Sequence, residues 1–327
     1  MKRLTLLIII FTGLILFHSC DNDVDINADY KDIVIVYGIL DPHDNGTYLK
    51  INKAFLGPDN ALTMAKIPDS SQFLQKLNVT ITNTSNSTVY TFDTITISNK
   101  EDGIFYNPYQ QLYYNPFVPA PDTRYTLKVI YKDKEITSET YSIEEFNTLD
   151  ITKPGFAKAI TFIYDQVSPV IWFRQDRAPR YDVTINFSWK ELWEGQTDTV
   201  YRSIEWFKDT QIATTGEEVE TFYSANTFYN ALEAFVPYDD PDTESQVMER
   251  YFGRVEFIVE AGGTELNTYM EVNEPSSSIV QERPQYTNIE NGYGLFSARA
   301  RANKIKKLSD QTKSTIKEDF FYLKFQF

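Results

Sequence analysis

Cysteine is almost missing from this 327-residue chain: Cys20 is the only one. No disulfide can form within the chain, and no second thiol is left for redox or nucleophilic work. Histidine is nearly as scarce, and beyond residue 20 only His43 remains, in the polar turn Asp41 to Gly46. A Ser-His-Asp triad would have to use His43, and no nucleophile-elbow sequence accompanies it. There is no His-Glu-x-x-His helix and no His-rich zinc set, so no metal ligand is named. Glycine is sparse at 13 residues, without a phosphate-cradling loop or dinucleotide fingerprint, and no cofactor is expected. Positive charge is in deficit, with 31 Lys and Arg against 46 Asp and Glu and a formal charge of −15. That balance argues against nucleic acid, whose phosphates need a basic footprint. No repeat of fixed period occurs, so neither a propeller nor a solenoid is expected.

What is present begins at the N-terminus. Lys2 and Arg3 precede the apolar run Leu4 to Phe17, which is too short for a comfortable membrane span, and Ser19-Cys20 closes it. Residues 1–19 read as a lipoprotein signal peptide, and Cys20 as the lipidation site of the cleaved chain. Phe17 stands where such signals usually carry Leu, and the competing reading is an ordinary secretory signal. Residues 20–30 form an acidic tether. Asp directly after the cysteine in such a tether resembles the export signal of surface lipoproteins of the Bacteroidota, although elsewhere it resembles an inner-membrane retention signal. The expected location is the outer membrane, lipid-anchored and exposed at the cell surface.

Aromatic residues make up 15% of the chain, a density suited to cross-strand packing. Leu77, Val79 and Ile81 alternate with polar neighbours, as do Tyr125, Leu127 and Val129, and Tyr181 to Trp189 alternates most cleanly. The pattern predicts a mainly all-β protein of two β-sandwich-like domains, an Ig-like one over 31–146 and a β-rich one over 147–327 with one short helix. That helix would be capped by Ser224, carry Ala225, Phe228, Tyr229, Leu232, Phe235 and Val236 inward, and stop at Pro237. Gly262-Gly263 predicts a hairpin. Phe321, Leu323, Phe325 and Phe327 predict a closing strand.

Carboxylates are the remaining catalytic currency. Glu191 and Glu194 flank Trp193, and Glu205 adjoins Trp206, which would suit a glycosidase; in so acidic a chain the same proximity arises by composition. Asp239 to Glu244 offers oxygen ligands for Ca²⁺ but lacks EF-hand spacing, so a solvated loop is the simpler reading. A loop from Tyr106 to Pro121 presents Tyr106, Tyr109, Tyr113, Tyr114 and Phe117 for ligand or partner contact, or else folds onto its own sandwich. Arg299, Arg301, Lys304, Lys306 and Lys307, with Lys313 and Lys317, form a basic patch that would face membrane or partner, or a solvated loop.

Pro284-Gln285-Tyr286-Thr287-Asn288-Ile289-Glu290-Asn291-Gly292-Tyr293-Gly294-Leu295-Phe296-Ser297 resembles a late stretch of Bacteroidota lipoproteins of domain-of-unknown-function family 4249. Physically, Asn291-Gly292 makes a tight turn, Gly294 relieves crowding, and Leu295 and Phe296 anchor the segment. Tyr48 to Phe55 and Pro121 to Leu127 also resemble that family's N-terminal β-domain. The resemblance implies a surface lipoprotein often found alongside TonB-dependent outer-membrane transporters, and it implies no catalytic residue. The expected function is a non-catalytic binding or accessory module. A surface glycosidase and a structural or adhesive envelope protein are the alternatives.

Overall fold

Alternation of apolar and polar residues governs the long strands. The computed structural model describes residues 33–54, 61–73, 75–146, 159–237, 247–274 and 285–327. The signal segment, Cys20, the tether and the Asp239 to Glu244 loop lie outside the described residues.

In the first part of the chain, β1 (Val34–Leu40), β2 (Thr47–Lys53), β3 (Asn78–Asn83), β4 (Thr88–Thr91), β5 (Asp93–Ile97), β6 (Gln110–Asn115), β7 (Arg124–Tyr131) and β8 (Lys134–Tyr141) form two layers. One sheet runs β5-β6-β2-β1 and the other β4-β3-β7-β8. Val34, Val36, Leu49 and Ile51 share one core with Val79, Ile81, Leu127 and Val129, the side chains that alternation turns inward from each sheet. Two short helices, α1 (Ala61–Ala65) and α2 (Pro68–Ser71), follow β2 in sequence.

The later part contains β9 (Ala159–Ile160), β10 (Val167–Phe173), β11 (Arg180–Trp193), β12 (Val200–Ile212), β13 (Glu218–Ser224), β14 (Val247–Gly262), β15 (Tyr293–Leu308) and β16 (Phe325–Gln326). Its long sheet runs β12-β11-β14-β15, and β10-β13 form a separate pair. Tyr181, Val183, Ile185, Phe187 and Trp189 are all buried, as their spacing predicts. The helix α3 (Ala225–Phe235) is capped by Ser224, whose side chain accepts from the Asn226 amide. Phe228 of that helix stacks on Phe162 at 4.2 Å and meets Trp206 at 5.3 Å and Phe187 at 5.5 Å. Burying one such ring contributes about 2–3 kcal/mol, so the ring cluster, rather than helix propensity, holds α3 on the sheet. Phe235 departs from the expected stripe: it is 65% exposed, on the last turn beyond the sheet's reach.

β15 serves both sheets. Tyr293 to Ala298 pair in parallel with β1, and Arg299 to Lys307 pair antiparallel with β14. The hydrogen-bonded path therefore crosses the boundary expected near residue 146. The stretch before it fastens this strand to the neighbouring sheet. The Asn288 amide clasps the Phe296 backbone, accepting from its N–H at 2.9 Å and donating to its carbonyl at 2.6 Å. Ser138 of β8 donates to the Asn288 carbonyl at 2.7 Å, and Asn291 donates to the Glu135 carbonyl at 2.9 Å.

Four expectations about local structure are corrected. Gly262-Gly263 opens no hairpin but leads into helix α4 (Thr264–Asn273), with Gly263 as its N-cap; Leu266 and Met270, four apart, suit a helix as well as a strand. The basic segment is no loop, since it lies on β15 and on helix α5 (Asp310–Asp319), capped by Ser309. The later part thus has three helices among its described residues instead of one. Phe321 to Phe327 is not one strand: a 3-10 turn, Phe321–Leu323, precedes Lys324 in the left-handed region, and only Phe325–Gln326 pair, with β14.

Candidate functional site

The Tyr106 to Pro121 stretch is not one loop, because Gln110–Asn115 form β6, and that strand divides its rings. Tyr113 is buried, and its hydroxyl accepts from the Leu77 amide at 2.9 Å. Phe117 is buried too, stacked on Tyr90 at 4.0 Å. Both belong to the core and cannot meet a ligand. Tyr114 lies against Tyr48 at 4.8 Å and donates to the Asn45 carbonyl at 3.0 Å. Tyr109 is exposed. Of the five, Tyr106 alone lines the cavity described next.

That cavity, of about 430 Å³, lies on the outer face of β1 and β2. Alternation along β1 sends Val34 and Val36 inward and leaves Ile35 and Tyr37 outside; β2 likewise leaves Lys50 and Asn52 outside. Ile35 pairs with Asn52 and Tyr37 with Lys50 across the strands, which makes a floor of four side chains. The wall is the segment before β6. Its Tyr106 amide donates to the Ala65 carbonyl of α1 at 3.0 Å, and the Lys100 ammonium donates to the Tyr106 carbonyl at 2.6 Å. Lys53, Lys100 and Phe105 complete the cationic and aromatic lining.

Three lysines line this cavity and, among the described residues, no carboxylate does. Neither Lys50 nor Lys53 has an ion-pair partner among the described residues. Burial, and then the nearby Lys50 charge, push the Lys100 pKa below the usual lysine range. Burial, followed by a hydrogen bond with Tyr269, raises Tyr37 to about 12, so its phenol is neutral at physiological pH. The arrangement has positive potential, flat apolar faces and hydroxyl and amide donors. Its volume falls within the range of small-molecule pockets. It can hold an anion.

The other candidates lie elsewhere. Glu191 is fully buried and lines neither the Lys50 cavity nor any other described cavity. It accepts from Trp189 Nε1 at 2.8 Å, Trp193 Nε1 at 3.1 Å, Arg250 Nε at 2.9 Å and Arg202 Nε at 3.3 Å. Glu194 and Glu205, both later in sequence, are exposed. His43 is held in its turn by Asp41, which also accepts from Arg299 Nε at 2.5 Å. The basic patch is divided between two faces: Arg299, Arg301 and Lys307 alternate with Lys304 and Lys306, and Lys306 is buried.

No family model matches the chain, and no curated protein does. Among solved structures, the FN1-FN3 domains of chicken CNTN1 align at 10% identity, covering 84% of this chain and 64% of that one, with a TM-score of 0.18. CBD12 from CALX1.2 aligns at 8% identity over 83% of this chain and 100% of that one, with a TM-score of 0.16. The mainly β, sandwich-type fold rests on the strand pairings themselves.

Sequence reasoning missed Lys50, Lys53 and Lys100. The outward phase of Lys50 is readable from Leu49 and Ile51, but nothing in the sequence announces that Lys100 folds back over it.

Proposed function

We propose that this chain is a non-catalytic binding module, lipid-anchored through Cys20 at the outer-membrane surface, that holds a small anionic ligand beside a TonB-dependent transporter. The observation that carries the binding reading is the convergence of Lys50, Lys53 and Lys100 on one aromatic-lined cavity with no carboxylate among the described lining residues, in a chain of charge −15. Like charges brought together without a counter-ion raise the free energy of the empty site, and a bound anion offsets that cost. Ring faces from Tyr37, Phe105 and Tyr106 suit a flat ligand that carries a carboxylate, sulfate or phosphate.

Anilinonaphthalene sulfonate, a flat organic anion, is a direct probe. It should bind the folded protein at one site, and Lys50→Ala with Lys100→Ala should weaken that binding by about tenfold, since losing a charge-assisted contact costs roughly 1.5–3 kcal/mol. Affinity should also fall as pH rises through the Lys100 titration, which lies below the usual lysine range, because only the protonated ammonium attracts the anion. Equal binding by the double variant would remove the cavity from the proposal.

The tether and partner are tested separately. Cys20→Ala should shift the protein from the membrane fraction to the soluble one. Affinity capture from detergent-solubilised outer membranes should return a barrel transporter in stoichiometric yield. Capture of the chain alone would defeat the transporter reading while leaving the cavity untouched.

A further inference from the structure

A second concavity, of about 720 Å³, opens on the outward face of β11, β12, β14 and β15. Lys190, Arg254, Lys307 and Lys313 line it, and no Asp or Glu side chain does among the described residues. Among the described residues, only Lys313 of these four has an acidic partner, the exposed Asp310 at 3.1 Å. Arg254 and Lys307 are direct cross-strand partners, a placement that destabilises a sheet when both residues carry the same charge. Neither has an acidic partner among the described residues.

The strand irregularity beside them fixes where Arg254 points. The β11–β14 register shifts between Phe187 and Trp189, and Ser188 Oγ accepts from the Arg254 N–H at 3.1 Å and donates to its carbonyl at 3.2 Å. A Cβ on Gly253 would lie 2.2 Å from the Ser188 carbonyl oxygen, so this close approach requires glycine. Aromatic faces stand among the cations. Lys190 Nζ sits 4.6 Å from the centre of the Tyr201 ring, and Lys317 Nζ 4.4 Å from that of Phe327. Tyr201 and Phe327 are largely exposed, at 72% and 69%.

We propose that this groove binds an acidic oligosaccharide. Sugar rings present flat C–H faces that stack on Tyr201, Tyr251 and Phe327, while carboxylate, sulfate or phosphate substituents meet Arg254, Lys307 and Lys190. A simple inorganic anion would leave the rings without a role, and an acyl chain would gain nothing from four cations. The groove shares no lining residue with the Lys50–Lys100 cavity, so the two sites stand or fall independently.

Titration calorimetry with hexagalacturonate, its uncharged methyl ester and phosphatidylglycerol vesicles tests the assignment on the purified protein. Hexagalacturonate should bind, more weakly as salt rises, and the methyl ester should not. Lys307→Glu, at an exposed position, should reduce affinity at least about tenfold with the circular dichroism spectrum unchanged. Tyr201→Ala should reduce it several-fold, whereas Lys50→Ala should leave it unchanged. Absence of hexagalacturonate binding, or unaltered binding by Lys307→Glu, would overturn the proposal. So would an inert Tyr201→Ala, which removes the stacking role, or binding to vesicles alone, which would give the groove to a lipid headgroup.

Discussion

Replacing Arg250 with methionine should cost about 3–5 kcal/mol of folding stability, the usual penalty for removing one partner of a buried ion pair. Arg250 and Glu191 are both fully buried, and their side chains meet at 2.9 Å. The guanidinium does more than neutralise Glu191. It donates to the Leu323 carbonyl at 2.8 Å and to the Pro237 carbonyl, so one side chain ties β14 to the second residue beyond α3 and to the 3-10 turn before β16. Methionine fills the volume but leaves two carbonyls and a carboxylate oxygen without that donor. The partly exposed Arg202 still reaches Glu191 at 3.3 Å from the solvent side, which limits the loss. The paired change Glu191→Leu with Arg250→Met should recover much of it, because the buried charge then disappears with its partner. Urea unfolding of the two variants measures both effects. A single Arg250→Met variant as stable as the parent would show that this hub bears little of the fold's stability.

Gly294→Ala should destabilise by roughly 3 kcal/mol or more, combining an unfavourable backbone conformation with a steric overlap that the strands cannot relieve. Gly294 has φ +117°, and a Cβ there would lie 1.9 Å from the Val36 carbonyl oxygen. Val36 is its register partner in the β1–β15 pairing, so any adjustment must open that seam. The distinguishing readout is local. Limited proteolysis should cut the first two strands before those of the β11–β14 sheet, whereas Arg250→Met should loosen the later sheet. An alanine variant with an unchanged unfolding midpoint would contradict the close approach of β1 and β15.

Legibility followed the range of the interactions. Strand β11 was readable because its alternation is local and uninterrupted, and α3 because Ser224 and Pro237 mark its ends within fourteen residues of chain. The reading of the Asn291 to Phe296 stretch as turn, relieved crowding and anchor also came from local chemistry, and Asn291 does adopt a left-handed φ of 57°. What escaped depended on partners far away in sequence. Tyr113 and Tyr114 are adjacent residues of one type, but strand phase buries the first and leaves the second half-buried. Glu191 stands near two tryptophans in sequence, but its buried partner Arg250 lies 59 residues on, outside any local window. The lysine cavity and the cationic groove both form from side chains on separate strands and loops, and no single window of sequence contains either.

The shared strand has a consequence for the order in which the chain can fold. β1 is among the earliest described segments, yet its neighbour is β15; Asp41 and Arg299, which join just past that seam, stand 258 residues apart. Contacts so distant along a chain form late and slowly, because loop-closure entropy must be met before they repay it. The first sheet cannot acquire its last strand until nearly the whole polypeptide has been made. The seam between β1 and β15 can close only after residues 293–298 have been made.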